Sequence, residues 1–217
     1  MIDEPAADME DQAVDLQFSL QGYAIPHDYL DALWSEVRSI LPWMATDTLT
    51  GLHTLTGLSP GDGKWYLSRR SRLILRLARP QVGDAIAALS GAQLQLGSHM
   101  IEAVNASVIE LVHTSVLYAR FVTFQELNSS TADGGALDEG EFQAACQKRF
   151  AAMSLAPQLI CGKQQRTDTS SGTLVGFSLM LLGLGVADTQ KAQRHGLGDE
   201  RKRGCGIFIP HKPTAAM

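Results

Sequence analysis

From Val14 the chain alternates apolar and polar positions through VDLQFSLQGY, the period of two expected of a half-buried strand. The period then lengthens. Pro26 and Asp28 open the stretch HDYLDALWSEVRSIL, in which Leu30, Leu33, Trp34, Val37 and Leu41 recur at helical spacing on one face, and Pro42 helps to end it. Two short strands are expected next, in GLHTLTG and KWYLS, separated by the turn-rich LSPGDG. In RLILRL, leucine and arginine alternate, giving a strand with one apolar and one cationic face. Pro80 to Leu89 reads as a short helix, and AQLQLGSHMIEAV as the last strand region of this half.

The order so far is strand, helix, two strands, helix, strand, which is the ferredoxin-like supersecondary unit. The second half repeats it more loosely. SVLYARFVTF is a strand, followed by a polar loop around residues 128–136 and a helix from Leu137 to Met153 with Phe142 and Phe150 inward. Leu159, Ile160 and TLVGFSLMLLGL supply further strands. A helix runs from about Val186 to His195, and CGIFIPHK closes the chain as a final strand. The expected class is α+β, with two tandem ferredoxin-like βαββαβ domains. The expected organisation is a disordered acidic tail over 1–13, an N-terminal domain over 14–104 and a C-terminal domain over 105–217. Similarity between the halves is confined to element order; no close sequence repeat accompanies it.

Composition changes this picture little, but the placement of charge changes it more. The 217 residues carry a net charge of −5, which on its own speaks against a nucleic-acid partner. The charge is segregated, however. Asp3, Glu4, Asp8, Glu10, Asp11 and Asp15 crowd the start. Arg69, Arg70, Arg72, Arg76 and Arg79 form one acid-free cluster, and Lys191, Arg194, Arg201, Lys202, Arg203 and Lys212 form another. An acidic protein arranged this way can still present a basic surface. Three cysteines without CxxC spacing argue against a zinc knuckle and against a disulfide framework. No signal-peptide pattern opens the chain, and its longest apolar run, near Leu174 to Val186, is too short to span a bilayer, so a soluble cytoplasmic protein without a membrane partner is expected.

Three groups of residues could carry chemistry. In HGLGDERKRGCGIFIPHK, Gly196, Gly198, Gly204 and Gly206 bracket a charged stretch. Glycine permits close approach of the backbone to a phosphate, and Arg201, Lys202 and Arg203 would neutralise it there, with Arg194, His195 and Lys212 alongside. A mobile surface hairpin with solvated charges has the same composition. The segment is neither a P-loop nor a dinucleotide fingerprint. Second, Arg69, Arg70 and Arg72 sit in or beside the alternating strand, as a phosphate track or as an exposed face paired with acids. Third, histidines suit general acid–base work on RNA. His27 lies where the first helix is expected to begin and His53 in the next short strand, and none of the six shows HxxxH or HExxH metal spacing. No metal or other cofactor is expected.

The C-terminal segment resembles the glycine-rich motif of the CRISPR-associated repeat-RNA endoribonucleases of the RAMP superfamily, and in particular the subgroup of myxobacterial-type CRISPR loci. VDLQFSLQGYAIPHDYLDALWSEV, GLHTLTG with RRSRLILRL, and TLVGFSLMLLGL agree with that subgroup in order and spacing, so the likeness extends from about Val14 to Lys212. The resemblance implies two ferredoxin-like domains and recognition of a CRISPR repeat RNA hairpin. It also implies metal-free cleavage in which a ribose 2′-OH attacks the adjacent phosphate, leaving 2′,3′-cyclic phosphate and 5′-OH ends, and retention of the guide with effector-complex subunits. The subgroup commonly carries its histidine directly after Pro-x-Asp. Here Tyr29 holds that position and His27 precedes Asp28. His27 is therefore the first catalytic candidate, His53 the second, and Tyr29 a group that would orient the 2′-OH or phosphate. Two other readings remain: a catalytically inactive RNA-binding subunit of an effector complex, and a ferredoxin-like protein that binds small ligands or proteins.

Overall fold

The computed structural model describes residues 12–128, 136–170 and 172–211. These fall into two units, Met1–Leu111 and Val112–Met217. The first contains β1 (Ala13–Gln21), β2 (Ala24–Pro26), α1 (Leu30–Ile40), β3 (Gly51–Leu52), β4 (Lys64–Tyr66), β5 (Arg72–Ala78), α2 (Val82–Leu89), β6 (Gln93–Leu96) and β7 (His99–Glu110). The second contains β8 (Val116–Thr123), α3 (Gln125–Asn128), α4 (Glu139–Ala152), β9 (Gln158–Thr169), β10 (Gly172–Leu182), α5 (Val186–His195) and β11 (Ile209–Pro210).

Both units are ferredoxin-like. In the first, the antiparallel sheet runs β3-β5-β1-β7-β6; the first four strands have the βαββαβ order, and β6 is an added edge. The second runs β11-β8-β10-β9, the same order without the extra strand. The alternation predicted the core. Val14, Leu16 and Phe18 of β1 and Leu73, Leu75 and Leu77 of β5 share one buried face with Leu33 and Val37 of α1 and Ala85 and Leu89 of α2. In the second unit, Phe142 of α4 packs between Phe124 and Phe177, and Phe150 against Phe208, so both helix phenylalanines point inward as expected. Among the described residues no helix is long and apolar enough to cross a membrane.

The sequence-based boundaries shift in places. The first strand begins at Ala13, inside the stretch expected to be a tail; residues 1–11 lie outside the described residues. The division between units falls after Leu111 rather than at 104/105, because β7 continues through Glu110. AQLQLGSHMIEAV is a hairpin of β6 and β7 turning at Gly97–Ser98, not one strand. The closing strand is only Ile209–Pro210, with Cys205–Phe208 running as buried loop. Residues 129–135 of the expected polar loop lie outside the described residues.

The face of β5 opposite the leucines is not uniformly a cationic surface. Asp15 stands directly across from Arg76 in the β1–β5 register, and its carboxylate accepts hydrogen bonds from Arg76 Nε at 2.8 Å and Nη2 at 2.9 Å. Arg76 is fully buried. Burial on its own would raise the Asp15 carboxyl, but the guanidinium charge and the hydrogen bonds from His53 and Arg76 override it and hold the group well below its ordinary 3.8. Asp15→Ala strands a buried guanidinium and is expected to cost about 3–5 kcal/mol of unfolding free energy, read as a lower urea midpoint at unchanged slope. Because the folded-state carboxyl is lowered, its contribution is complete above pH 3.8 and is lost as pH falls below that value. Asp15→Asn flattens that acid limb in a stability-against-pH series.

Candidate functional site

In the first unit, β2 and β4 form a two-stranded ribbon outside the main sheet, pairing Ala24 with Tyr66, Ile25 with Trp65 and Pro26 with Lys64. His27 prolongs it: its amide donates to the Gly63 carbonyl at 3.0 Å, and its ring stacks on Trp65 with centroids 5.7 Å apart and planes 22° apart. The imidazole is exposed. The helix starts at Leu30, with Tyr29 as its N-terminal cap residue, so His27 precedes the helix by three positions instead of opening it.

Tyr29 does not do what the sequence suggested. Its side chain is buried in the core; the hydroxyl accepts from the Leu55 amide at 2.8 Å and lies 3.4 Å from the Leu55 carbonyl, to which it donates. A phenol held this way fixes the Leu55 backbone to the residue that caps α1, and its hydrogen bonds are made inside the protein. His53 is also largely enclosed, its side chain 12% exposed. Its amide continues the β3–β5 ladder to the Ile74 carbonyl at 2.9 Å, and Nε2 lies 3.2 Å from Asp15 Oδ1. It is the third member of the Asp15–Arg76 cluster.

The other end of the ribbon carries the arginine turn. The Leu67 amide donates to the Tyr23 carbonyl at 2.9 Å, and Ser68–Ser71 then closes on itself: the Ser71 amide donates to the Ser68 carbonyl at 2.9 Å and the Ser71 hydroxyl to the Thr56 carbonyl at 2.5 Å. Arg69 and Arg70 are exposed at the tip. Arg72, expected to join them as a phosphate contact, is half-buried and braces the turn through Nη1, which donates to the carbonyls of Arg69 at 2.7 Å and Ser71 at 2.8 Å. His27 and this turn thus bracket the ribbon, about 13 Å apart along it at ~3.3 Å per residue.

In the second unit the glycine-rich segment is a built loop, and the backbone its glycines approach is the protein's own. Leu197 N–H donates to Gly206 O at 3.0 Å, Asp199 N–H to Thr123 O at 2.9 Å, and Gly206 N–H to Phe121 O at 2.7 Å. Gly196, Gly198 and Gly206 all have positive φ, and a Cβ would fall on the Arg201 guanidinium and Gly206 carbonyl, on the Thr123 carbonyl and on the Leu197 carbonyl respectively. Gly204, at φ +82°, ends the 3-10 turn Arg201–Arg203.

The bases of this loop are correspondingly divided. Arg201 is buried and its Nη2 donates to the Arg194 carbonyl at 3.0 Å, so it is a strut of the loop and not the phosphate contact expected. Arg203 is ion-paired with Glu200 within the loop, which offsets its charge. Arg194 and Lys202 are partly exposed and His195 is exposed. Lys212 lies outside the described residues.

Cysteine chemistry finds no support. Burial pushes the thiols of Cys146 and Cys205 up to about 12, and that of Cys161 upward, so none is a ready thiolate at neutral pH. Among the described residues no three His, Cys, Asp or Glu side chains gather as metal ligands. The Asp15–Arg76 pair and the Trp65 support of His27 escaped sequence reasoning. The first joins residues 61 positions apart and the second residues 38 apart, so local pattern records neither.

Comparison with known proteins identifies the family and the fold. The family model described as Cas6 Crispr matches residues 14–213. The CRISPR-associated endonuclease Cas6 of Myxococcus xanthus (strain DK1622) is 29% identical over 198 residues, covering 91% of this chain and 81% of that protein. A solved CRISPR associated protein Cas6 superposes with a TM-score of 0.63 at 11% identity, over 93% of this chain and 100% of the other. The product of a Cas6-related gene from Pyrococcus furiosus does so at 0.63 and 10%, over 93% and 100%. At those identities the two structures speak for the fold.

If the loop glycines serve internal packing, Gly206→Ala and Gly198→Ala should lower stability by more than the roughly 1–3 kcal/mol of a strained backbone alone. Thermal melting followed by circular dichroism checks this: the expected result is a clear drop in Tm for both variants without any RNA present.

Proposed function

The chain belongs to the Cas6 CRISPR family, and on that premise we propose that it is an endoribonuclease that binds the CRISPR repeat RNA hairpin and cuts the precursor transcript without a metal ion. In this reading the 2′-OH 5′ of the scissile phosphate attacks phosphorus, the bond to the 5′ oxygen breaks, and the products carry 2′,3′-cyclic phosphate and 5′-OH ends. His27 is the group that moves a proton in this step.

One observation carries the assignment: of the two histidines singled out in the first unit, only His27 is both exposed and held in place. Its backbone is anchored to Gly63 and its ring rests on Trp65, so the imidazole is presented to solvent at low cost in side-chain entropy. His53 is enclosed and its Nε2 is engaged by Asp15. Arg69 and Arg70, exposed at the far end of the same ribbon, would take phosphates of a bound strand in this reading. In this reading the exposed or part-exposed Arg194, His195 and Lys202 of the glycine-rich loop would add further contacts to the RNA.

The test is cleavage of the cognate repeat RNA in excess EDTA with both product ends mapped. Cutting is expected to persist, with a cyclic phosphate on the 5′ fragment. His27→Ala should slow single-turnover cleavage by about 10²–10⁴-fold while leaving RNA affinity near that of the parent. His53→Ala should lower stability and, measured well below its melting temperature, retain most of the rate. Loss of cutting in the chelator overturns the metal-free reaction. Full activity of His27→Ala overturns the assignment. Tight binding without cutting under any condition identifies a binding-only protein.

A further inference from the structure

We propose that Tyr23 is a nucleobase-stacking residue, on which an unpaired base of the bound RNA lies while Arg69 and Arg70 take neighbouring phosphates; the proposal rests on the RNA-binding reading above. Exposed apolar side chains that lie together, rather than singly, mark interaction surfaces. Tyr23 is 78% exposed and Leu58 is 74% exposed. The two flank Tyr66: the Tyr23 ring meets that of Tyr66 edge-on, with centroids 5.3 Å apart and planes at 80°, and Leu58 pairs with Tyr66 through two backbone hydrogen bonds of 3.0 and 2.8 Å.

The exposure is built into the chain path. Gly22 has φ +149°, and a Cβ there would crowd Ile101 and the Met100 carbonyl of β7. The strand can therefore leave the sheet only at a glycine, and the turn it makes puts the next residue outward. Tyr66 is fixed in turn, since its hydroxyl donates to Asp62 Oδ2 at 2.6 Å. An edge-to-face pair of this kind holds the Tyr23 ring by one neighbour and leaves ring face available, which is what stacking requires.

Charge selects the occupant. The Tyr23 carbonyl accepts from the Leu67 amide, one residue before the Ser68–Ser71 turn that displays Arg69 and Arg70. An exposed aromatic ring beside two exposed arginines is the combination that single-stranded nucleic acid uses: a π-face for a base and cations for the adjoining phosphates. Asp62 and Lys64, the other charged groups of the ribbon, lie on the Tyr66 side and carry opposite signs.

The experiment is fluorescence anisotropy of the full chain with labelled repeat RNA, alongside RNAs in which unpaired nucleotides are made abasic one at a time. Tyr23→Ala is expected to weaken binding about ten-fold, and Tyr23→Phe to bind as the parent does. One abasic position should reproduce the loss and cost nothing further in Tyr23→Ala. Parent-like affinity of a folded Tyr23→Ala, while the parent binds and cuts the RNA, overturns this inference alone and hands the patch to a protein partner. Failure of the parent itself to bind the repeat RNA overturns the RNA-binding reading, and this inference with it.

Discussion

Asp15 and Arg76 face one another across β1 and β5, and that contact decides what the rest of the first unit can do. A carboxylate and a guanidinium taken out of water are tolerable only when their geometry is good and their remaining hydrogen-bonding capacity is used. Two parallel hydrogen bonds join this pair, and His53 takes a further position on the carboxylate. The pair ties the sheet together on the side away from the leucine core. It also engages one arginine and one histidine inside the unit, whereas His27, Arg69 and Arg70 are exposed.

The same division runs through the second unit. Its glycine-rich loop has the composition of a phosphate cradle, yet Gly196, Gly198 and Gly206 are required by the protein's own carbonyls, and Arg201 and Arg203 are engaged inside the loop. What the loop can offer a nucleic acid is a rigid frame carrying Arg194, His195 and Lys202. Under the RNA-binding proposal, a frame of this kind would lose little entropy when a strand settles on it.

Much of the architecture was legible in the chain. The alternation in VDLQFS and RLILRL and the helical spacing of Leu33 and Val37 fixed which faces are buried, and element order was enough for two ferredoxin-like units. The roles of individual polar residues were not. Arg72 and Arg76 occupy equivalent places in one alternating strand; only the cross-strand partner, 61 positions away for Arg76, makes one a buried anchor and the other a turn brace. Asp15 falls in the expected first strand, but nothing near it in sequence shows that its partner is Arg76. Tyr29 was a candidate because it stands where the resembling subgroup carries its histidine, but a helix starting at Leu30 turns it inward to meet Leu55. In each case the deciding contact is long-range, and local pattern carries no record of it.

The central claim is that the two candidate histidines have separate duties, His53 structural and His27 chemical. The most direct measurement is acylation of the folded protein with diethyl pyrocarbonate, followed by peptide mass mapping and residual cleavage at each extent of reaction. Activity is expected to fall in step with modification of His27, bound repeat RNA to protect that position, and His53 to react only when the protein unfolds. Activity that survives complete modification of His27, or that falls in step with His53 while His27 stays unmodified, would contradict it.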